Sequence, residues 1–208
     1  MLTLHQAVEF LIAAILITAA PGPDNLAVLG MGISKGRTQG TVFGLGCASG
    51  CLSHTLLAAV GVSALIAASP VAFTLLKVAG GAYLIWLGIN AIRHAGVAPV
   101  ATTASRQGSL AKVFFNGCFA NAVNPKVILF FLSFLPQFLE QKNGHFGLQT
   151  AALGIIFTLQ AAVLFGLLGY FSGAIGQWLS KRPHAAVILD RTTGTIFVLL
   201  GARLIVGL

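Results

Sequence analysis

Two short segments carry polar and charged groups where an apolar chain would not be expected to hold them. The first is Pro21-Gly22-Pro23-Asp24-Asn25, set in a run of alanine, isoleucine and leucine. Two prolines flanking a glycine remove amide donors and collide with carbonyls a turn earlier, so no regular helix passes through them. The second is Asn124-Pro125-Lys126, with 11 uncharged residues between Lys112 and Asn124 and 13 between Lys126 and Glu140. Each segment joins a helix break to one charge, Asp24 in one and Lys126 in the other. An interrupted helix leaves free carbonyls on one side of the break and free amides on the other. Such ends, with a carboxylate and an ammonium beside them, can grip a ligand that carries both charges. The plainer readings are that a helix ends at Ala20 with Asp24 capping an interfacial piece, and that Lys126 snorkels to a surface. The chemical reading is preferred for both segments.

Depth is what gives these residues weight, and composition sets the depth. Of 208 residues, 57% are hydrophobic and 8% are charged, against roughly 25% charged in an average soluble domain. Twelve Lys and Arg with four Asp and Glu cannot cover a water-facing surface, so a soluble globular enzyme is excluded and disorder fails for want of polarity. The hydrophobic content matches about six membrane spans of roughly 20 residues. The net charge of +8 is spread between apolar segments. It reads as loop charge facing anionic lipid rather than as a nucleic-acid surface.

Residues 38–76 and 143–180 contain no Asp, Glu, Lys or Arg. Glycine, proline and loop charge divide the chain into six helices: about Ala7–Ile33, broken at Pro21-Gly22-Pro23; Thr41–Ala68; Val71–Ile92; Val113–Leu135, broken at Asn124-Pro125; Leu148–Tyr170; and Ala185–Val206. The runs are too long, and alternate too little, for strands. The first ten residues hold no Lys or Arg ahead of the apolar region, so an uncleaved first helix is expected. The whole chain, 1–208, forms one transmembrane domain, with halves of about 1–93 and 113–208 joined by a polar loop. Lys35, Arg37, Arg93, Arg106, Lys112, Lys181 and Arg182 fall on one side, and Lys142 on the other. The positive-inside rule makes the seven-charge side, including the loop at 93–112, cytoplasmic, with both termini outside.

Lesser candidates lie on the other spans. Lys77, near the start of the third span, reads equally as a functional cation and as an anchor to the surface. His54, mid-span, reads as a proton carrier or, preferably, as a helix–helix hydrogen bond. Cys47, Cys51 and His54 share a helix face, but the spacing matches no specific metal motif. Packing is the preferred reading, and no metal or cofactor is expected. Gly44-Leu45-Gly46 follows no strand, so no dinucleotide site is read from it. No phosphate-binding P-loop motif occurs, so the chain has no ATP engine of its own.

Pro23 and Pro125 lie 102 residues apart, each in the first helix of a three-helix half. Three spans is an odd number, so the second half must enter from the opposite side. This is an all-α inverted repeat whose broken first and fourth spans would meet near the midplane. Asp24 follows one proline and Lys126 the other. The expectation is that they face one cavity, pair when it is empty, and separate around a ligand.

The segments PGPDNLAVLGMGISKGRTQGTVFGLG, KVAGGAYLIWLGINAIR, FFNGCFANAVNPKVILFFLSFLPQF and DRTTGTIFVLLGARL resemble, in order and across nearly the whole chain, the lysine exporter/homoserine-threonine resistance (LysE/RhtB) family of bacterial amino-acid exporters. The resemblance implies an inner-membrane secondary exporter of amino acids or close derivatives. It also implies that Pro21, Gly22, Pro23, Asn124, Pro125 and Lys126 belong to the transport core, with Asp24 and Asn25 beside them. Asp24, His54 and Lys77 are candidates for a proton or polar pathway. The expected partners are an amino acid and lipid, with a homo-oligomer compatible. A metal-ion exporter and a thiol–disulfide carrier are the alternatives, and the absence of cysteine from both breaks weighs against the second.

Overall fold

The computed structural model describes residues 2–96, 109–140 and 144–207. These form nine α-helices: α1 (Leu4–Ala19), α2 (Pro23–Lys35), α3 (Arg37–Ala68), α4 (Pro70–Arg93), α5 (Leu110–Ala122), α6 (Pro125–Leu129), α7 (Phe146–Tyr170), α8 (Ser172–Lys181) and α9 (Pro183–Val206). After α6 the chain continues through a π-helical turn, Phe130–Phe134, and a 3-10 turn, Leu135–Phe138. The protein is therefore an all-α membrane protein. Four helices are long and apolar enough to cross a membrane, or up to six if each bent pair is one span. Most of the linking loop expected at 93–112, with Arg106, and the position of Lys142 lie outside the described residues.

Both expected breaks are present, and their cause is local. Proline forces the residue before it out of the helical region, and Ala20, Gly22 and Asn124 are all extended. Pro23 and Pro125 then open α2 and α6 at the first helical position, where a missing N–H costs nothing. The axes turn by 55° between α1 and α2, and by 51° across the break after α5. The fourth span, expected as a broken helix through Leu135, is α-helical only to Leu129. Its second piece loosens into the π turn, a form that recurs at functional sites.

One helix went unforeseen. α8 runs through residues read as loop. Ten residues are too short to span a bilayer, and its polar and apolar faces suit an interfacial position. Arg182, at its end, lies over the Trp178 ring, 5.6 Å from the centroid. The α2–α3 joint is tighter than a loop, because Gly36 adopts φ 91°, a conformation open to glycine.

Two antiparallel pairs form the frame, α3 with α7 and α4 with α9. In membranes, where lipid tails are as apolar as leucine, small residues allow backbones to approach closely. A Cβ on Gly81 would strike the carbonyl of Gly201, and one on Gly201 the carbonyl of Gly81; Gly88 and Gly194 are related in the same way. Gly40 meets Gly169, and Gly154 meets Thr55. Between these pairs the bent helices enclose a core rich in phenylalanine, with Phe130, Phe131 and Phe157 mutually within 5.0–6.0 Å between ring centroids. Leu52, Leu56, Phe119, Leu159, Val163 and Leu199 are exposed, as lipid-facing positions should be.

Candidate transport site

The two breaks meet, and each completes the other. Asp24 sits in the first turn of α2, where a carboxylate faces the positive end of the helix. Its Oδ2 accepts a 2.7 Å hydrogen bond from Nδ2 of Asn121, near the end of α5. Lys126 sits in the first turn of α6. Its Nζ donates at 2.8 Å to the carbonyl of Ala20, the capping residue left behind where α1 stops. The end of each first half-helix thus serves the charge that opens the other second half-helix. The Asn124 side chain caps α6 by accepting from the Lys126 amide at 3.0 Å. The face of Phe197 lies 5.3 Å from the ammonium, a favourable cation–π arrangement.

Asp24 and Lys126 are both almost wholly buried, and both line one cavity with Ile17, Thr18, Asn121, Val127, Phe130, Phe157 and Phe165. Its volume is about 10 Å³, room for roughly one water. The direct Asp24–Lys126 ion pair expected for the empty state is not made. Among the described residues the ion pair within 4.0 Å is His5–Glu9, near the start of α1. The reason is the breaks themselves: they supply a free carbonyl and a nearby amide, so each charge finds a neutral partner without crossing the cavity. Gly22 lies against Lys126, and a Cβ there would come within 2.9 Å of Nζ. Its small size keeps that ammonium in place.

Of the remaining expected residues, Pro21, Gly22, Pro23, Asn124 and Pro125 shape the breaks rather than the cavity wall. Asn25 is buried and donates from Nδ2 to the Thr18 carbonyl at 2.9 Å. His54 is buried, and its Nε2 is 3.1 Å from the Asn121 carbonyl. A carbonyl only accepts, so the imidazole donates, bonding α3 to α5. Lys77 lies half-buried on α4 and does not line the cavity. Cys51 reaches Oδ1 of Asn121 at 3.5 Å. All three cysteines are free thiols, and no cluster of three or more His, Cys, Asp or Glu suited to a metal occurs among the described residues.

Sequence reasoning missed Asn121, which contacts Asp24, Cys51 and His54, and also Thr18 and Gln160. Gln160 donates to Thr18 Oγ1 at 2.8 Å. A signal for these was available: a polar side chain inside a long uncharged apolar run needs a partner in the protein.

Residues 15–208 match the family model described as LysE type translocator. The chain is 33% identical over 205 residues to an uncharacterized membrane protein of Vibrio cholerae, covering 97% of each. It is 31% identical over 195 residues to a homoserine/homoserine lactone efflux protein of Salmonella typhi, covering 94% of this chain and 93% of that one. To a leucine efflux protein of Enterobacter sp. (strain 638) it is 30% identical over 205 residues, covering 94% and 92%. No solved structure matches.

Proposed function

The chain belongs to the LysE type translocator family, and we propose that it is a secondary exporter of amino acids or close derivatives across the bacterial inner membrane, driven by the proton gradient. The observation that carries this reading is the placement of Asp24 and Lys126 on one cavity, each opening a half-helix. An amino acid presents an ammonium and a carboxylate. Asp24 matches the first. Lys126, with the amide end of α6, matches the second. The partners these two charges hold now, Asn121 and the Ala20 carbonyl, are neutral and exchangeable. A substrate can displace them without leaving a bare charge in the membrane. The relatives named for homoserine and leucine efflux support a neutral amino acid as cargo.

The closed cavity does not admit an amino acid, so transport requires movement at the breaks. In the reading as an inverted repeat, α1 to α4 and α5 to α9 are two halves that rock about the site. The register of the frame supports it. Gly194 and Gly201 each lie 113 residues after Gly81 and Gly88, and Gly154 and Gly169 lie 114 after Gly40 and Thr55. These are the same residues that contact one another across the two antiparallel pairs. Protonation of Asp24 would release the substrate ammonium and link each cycle to a proton.

The test is export from cells loaded with individual amino acids, with and without the protein, before and after collapse of the proton gradient. Asp24→Asn and Lys126→Ala are expected to abolish export while the protein inserts at normal abundance. Normal export by either variant overturns the reading.

A further inference from the structure

We propose that the side-chain oxygens of Asn25 and Gln160, whose amide nitrogens both bond to Thr18, join Asp24 in a three-acceptor cup for the protonated amine of the substrate. This rests on the exporter reading above. The starting point is a pair of amides that donate but do not accept. Asn25 Nδ2 donates to the Thr18 carbonyl at 2.9 Å, and Gln160 Nε2 donates to Thr18 Oγ1 at 2.8 Å. No donor among the described residues meets Asn25 Oδ1 or Gln160 Oε1. The two side chains are 8% and 9% exposed, and buried polar atoms are ordinarily paired.

The orientation of Asn25 follows from chemistry. A backbone carbonyl cannot donate, so turning the amide over would set two acceptors face to face. The Thr18 hydroxyl can donate as well as accept, so the Gln160 amide is oriented by the bond the structure shows, Nε2 to Oγ1. In this arrangement both unpaired atoms are acceptors, and what they lack is an N–H or a cation. Their location narrows the choice. Thr18 and Asp24 line the same cavity, which Asn25 and Gln160 adjoin through Thr18 without lining it in this closed form; Asn25 follows Asp24 in the first turn of α2, and Gln160 lies midway along α7. Three elements, α1, α2 and α7, thus converge beside the carboxylate. Among the described residues two other buried side-chain oxygens lack a partner, Gln39 Oε1 and the Thr150 hydroxyl. They lie near opposite ends of the α3–α7 pair, away from Thr18.

An ammonium has three N–H groups and fills such a cup with one hydrogen bond to each of Asp24, Asn25 and Gln160. Two of the three acceptors are neutral, so the cup adds no charge to the membrane beyond Asp24. It recognises a protonated primary amine and rejects the same molecule once the amine is acylated, since an N-acyl group has one N–H and no charge. The carboxylate end remains with Lys126. The cup reads the amine and tolerates different side chains.

Full-length protein in proteoliposomes carrying an imposed proton gradient tests this, with leucine, homoserine and their N-acetyl derivatives as probes. Wild type is expected to transport an amino acid and to exclude its N-acetyl form. Gln160→Leu is expected to raise KM for the amino acid tenfold or more with a smaller change in kcat. Thr18→Val, which frees the Gln160 amide from its tether, is expected to raise KM by a smaller factor. Gln160→Met replaces the leucine variant should that one fail to insert. An unchanged KM in the apolar variants overturns the cup and assigns these oxygens to an ordered water. Equal transport of the N-acetyl compounds overturns it as well. If wild type transports neither amino acid, the exporter reading falls and the cup with it. If wild type transports one and the apolar variants match it, the cup alone falls.

Discussion

At the scale of residues, the site is an exchange of partners between two chain breaks. Gly22 shows how narrow the fit is. Its backbone is extended and suits any residue, but a methyl group there meets the Lys126 ammonium and the stem behind it. Gly22→Ala is therefore expected to push Nζ off the Ala20 carbonyl. Losing a hydrogen bond to a buried charge costs about 1.5 kcal/mol or more, which corresponds to roughly a tenfold loss. Export measured per inserted molecule should fall by about that factor, with little change in abundance. The cysteines are expected to behave otherwise. Cys51 makes only a long thiol contact to Asn121, and none of the three has a thiol partner. Replacing Cys47, Cys51 and Cys118 together with Ala should leave most export intact, and loss of export at normal abundance would revive a thiol mechanism. Asp24, Lys126 and the two breaks were legible because charge and proline stand out in an apolar chain. Asn121, Thr18 and Gln160 were legible only as polar side chains in apolar runs, which signals a buried partner without saying which one, because that partner comes from another helix.

At the scale of elements, close backbone packing holds the frame that the breaks work against. The pattern of apolar runs divided by glycine, proline and loop charge located the six apolar segments, because each needs one long lipid-compatible run. It could not place α8, whose short length and mixed faces resemble a loop, nor the π turn after α6, whose Ser133 is tied to a different helix. Ser133 Oγ donates to the Leu76 carbonyl at 3.1 Å, fastening that turn to α4. The α4–α9 crossing offers a test of the frame apart from the site. A side chain on Gly88 would enter the backbone of Gly194 and press on Val198. Overpacking of this kind costs about 1–3 kcal/mol. Gly88→Val is expected to lower thermal stability in detergent while the substrate affinity of the folded fraction is preserved. A stability equal to wild type would mean that the crossing is looser than the contacts indicate.

At the scale of the whole molecule, charge is sorted between two ends. Arg37 reaches the Tyr170 hydroxyl at 3.3 Å, so the α2–α3 joint, with Lys35, lies at the α7–α8 junction. α8 carries Lys181 and leads to Arg182 at its end. Gly96, just past Arg93, donates its amide at 2.8 Å to Asp190 near the start of α9, which brings Arg93 to the same end. α5 runs parallel to α3, with Gly46 against Phe114 and Gly50 against Cys118, so Lys112 joins them. The opposite end is built from Thr3, His5, Glu9, Phe138, Glu140 and Arg203, around an open cavity of about 400 Å³. Six of the seven basic residues read as cytoplasmic loop charge thus share one end, while Glu9 and Glu140 share the other. Basic residues near span ends are retained on the cytoplasmic side, whereas Asp and Glu contribute little. The end with Arg37 and Arg182 should therefore face the cytoplasm, with both termini outside. Single cysteines placed at Ser34 and Ser180, in a background with the three native cysteines replaced, should resist a membrane-impermeant maleimide added to intact spheroplasts and react after lysis. A cysteine at Thr3 should react before lysis. The opposite pattern would reverse the molecule in the membrane, and with it the side on which the open cavity lies.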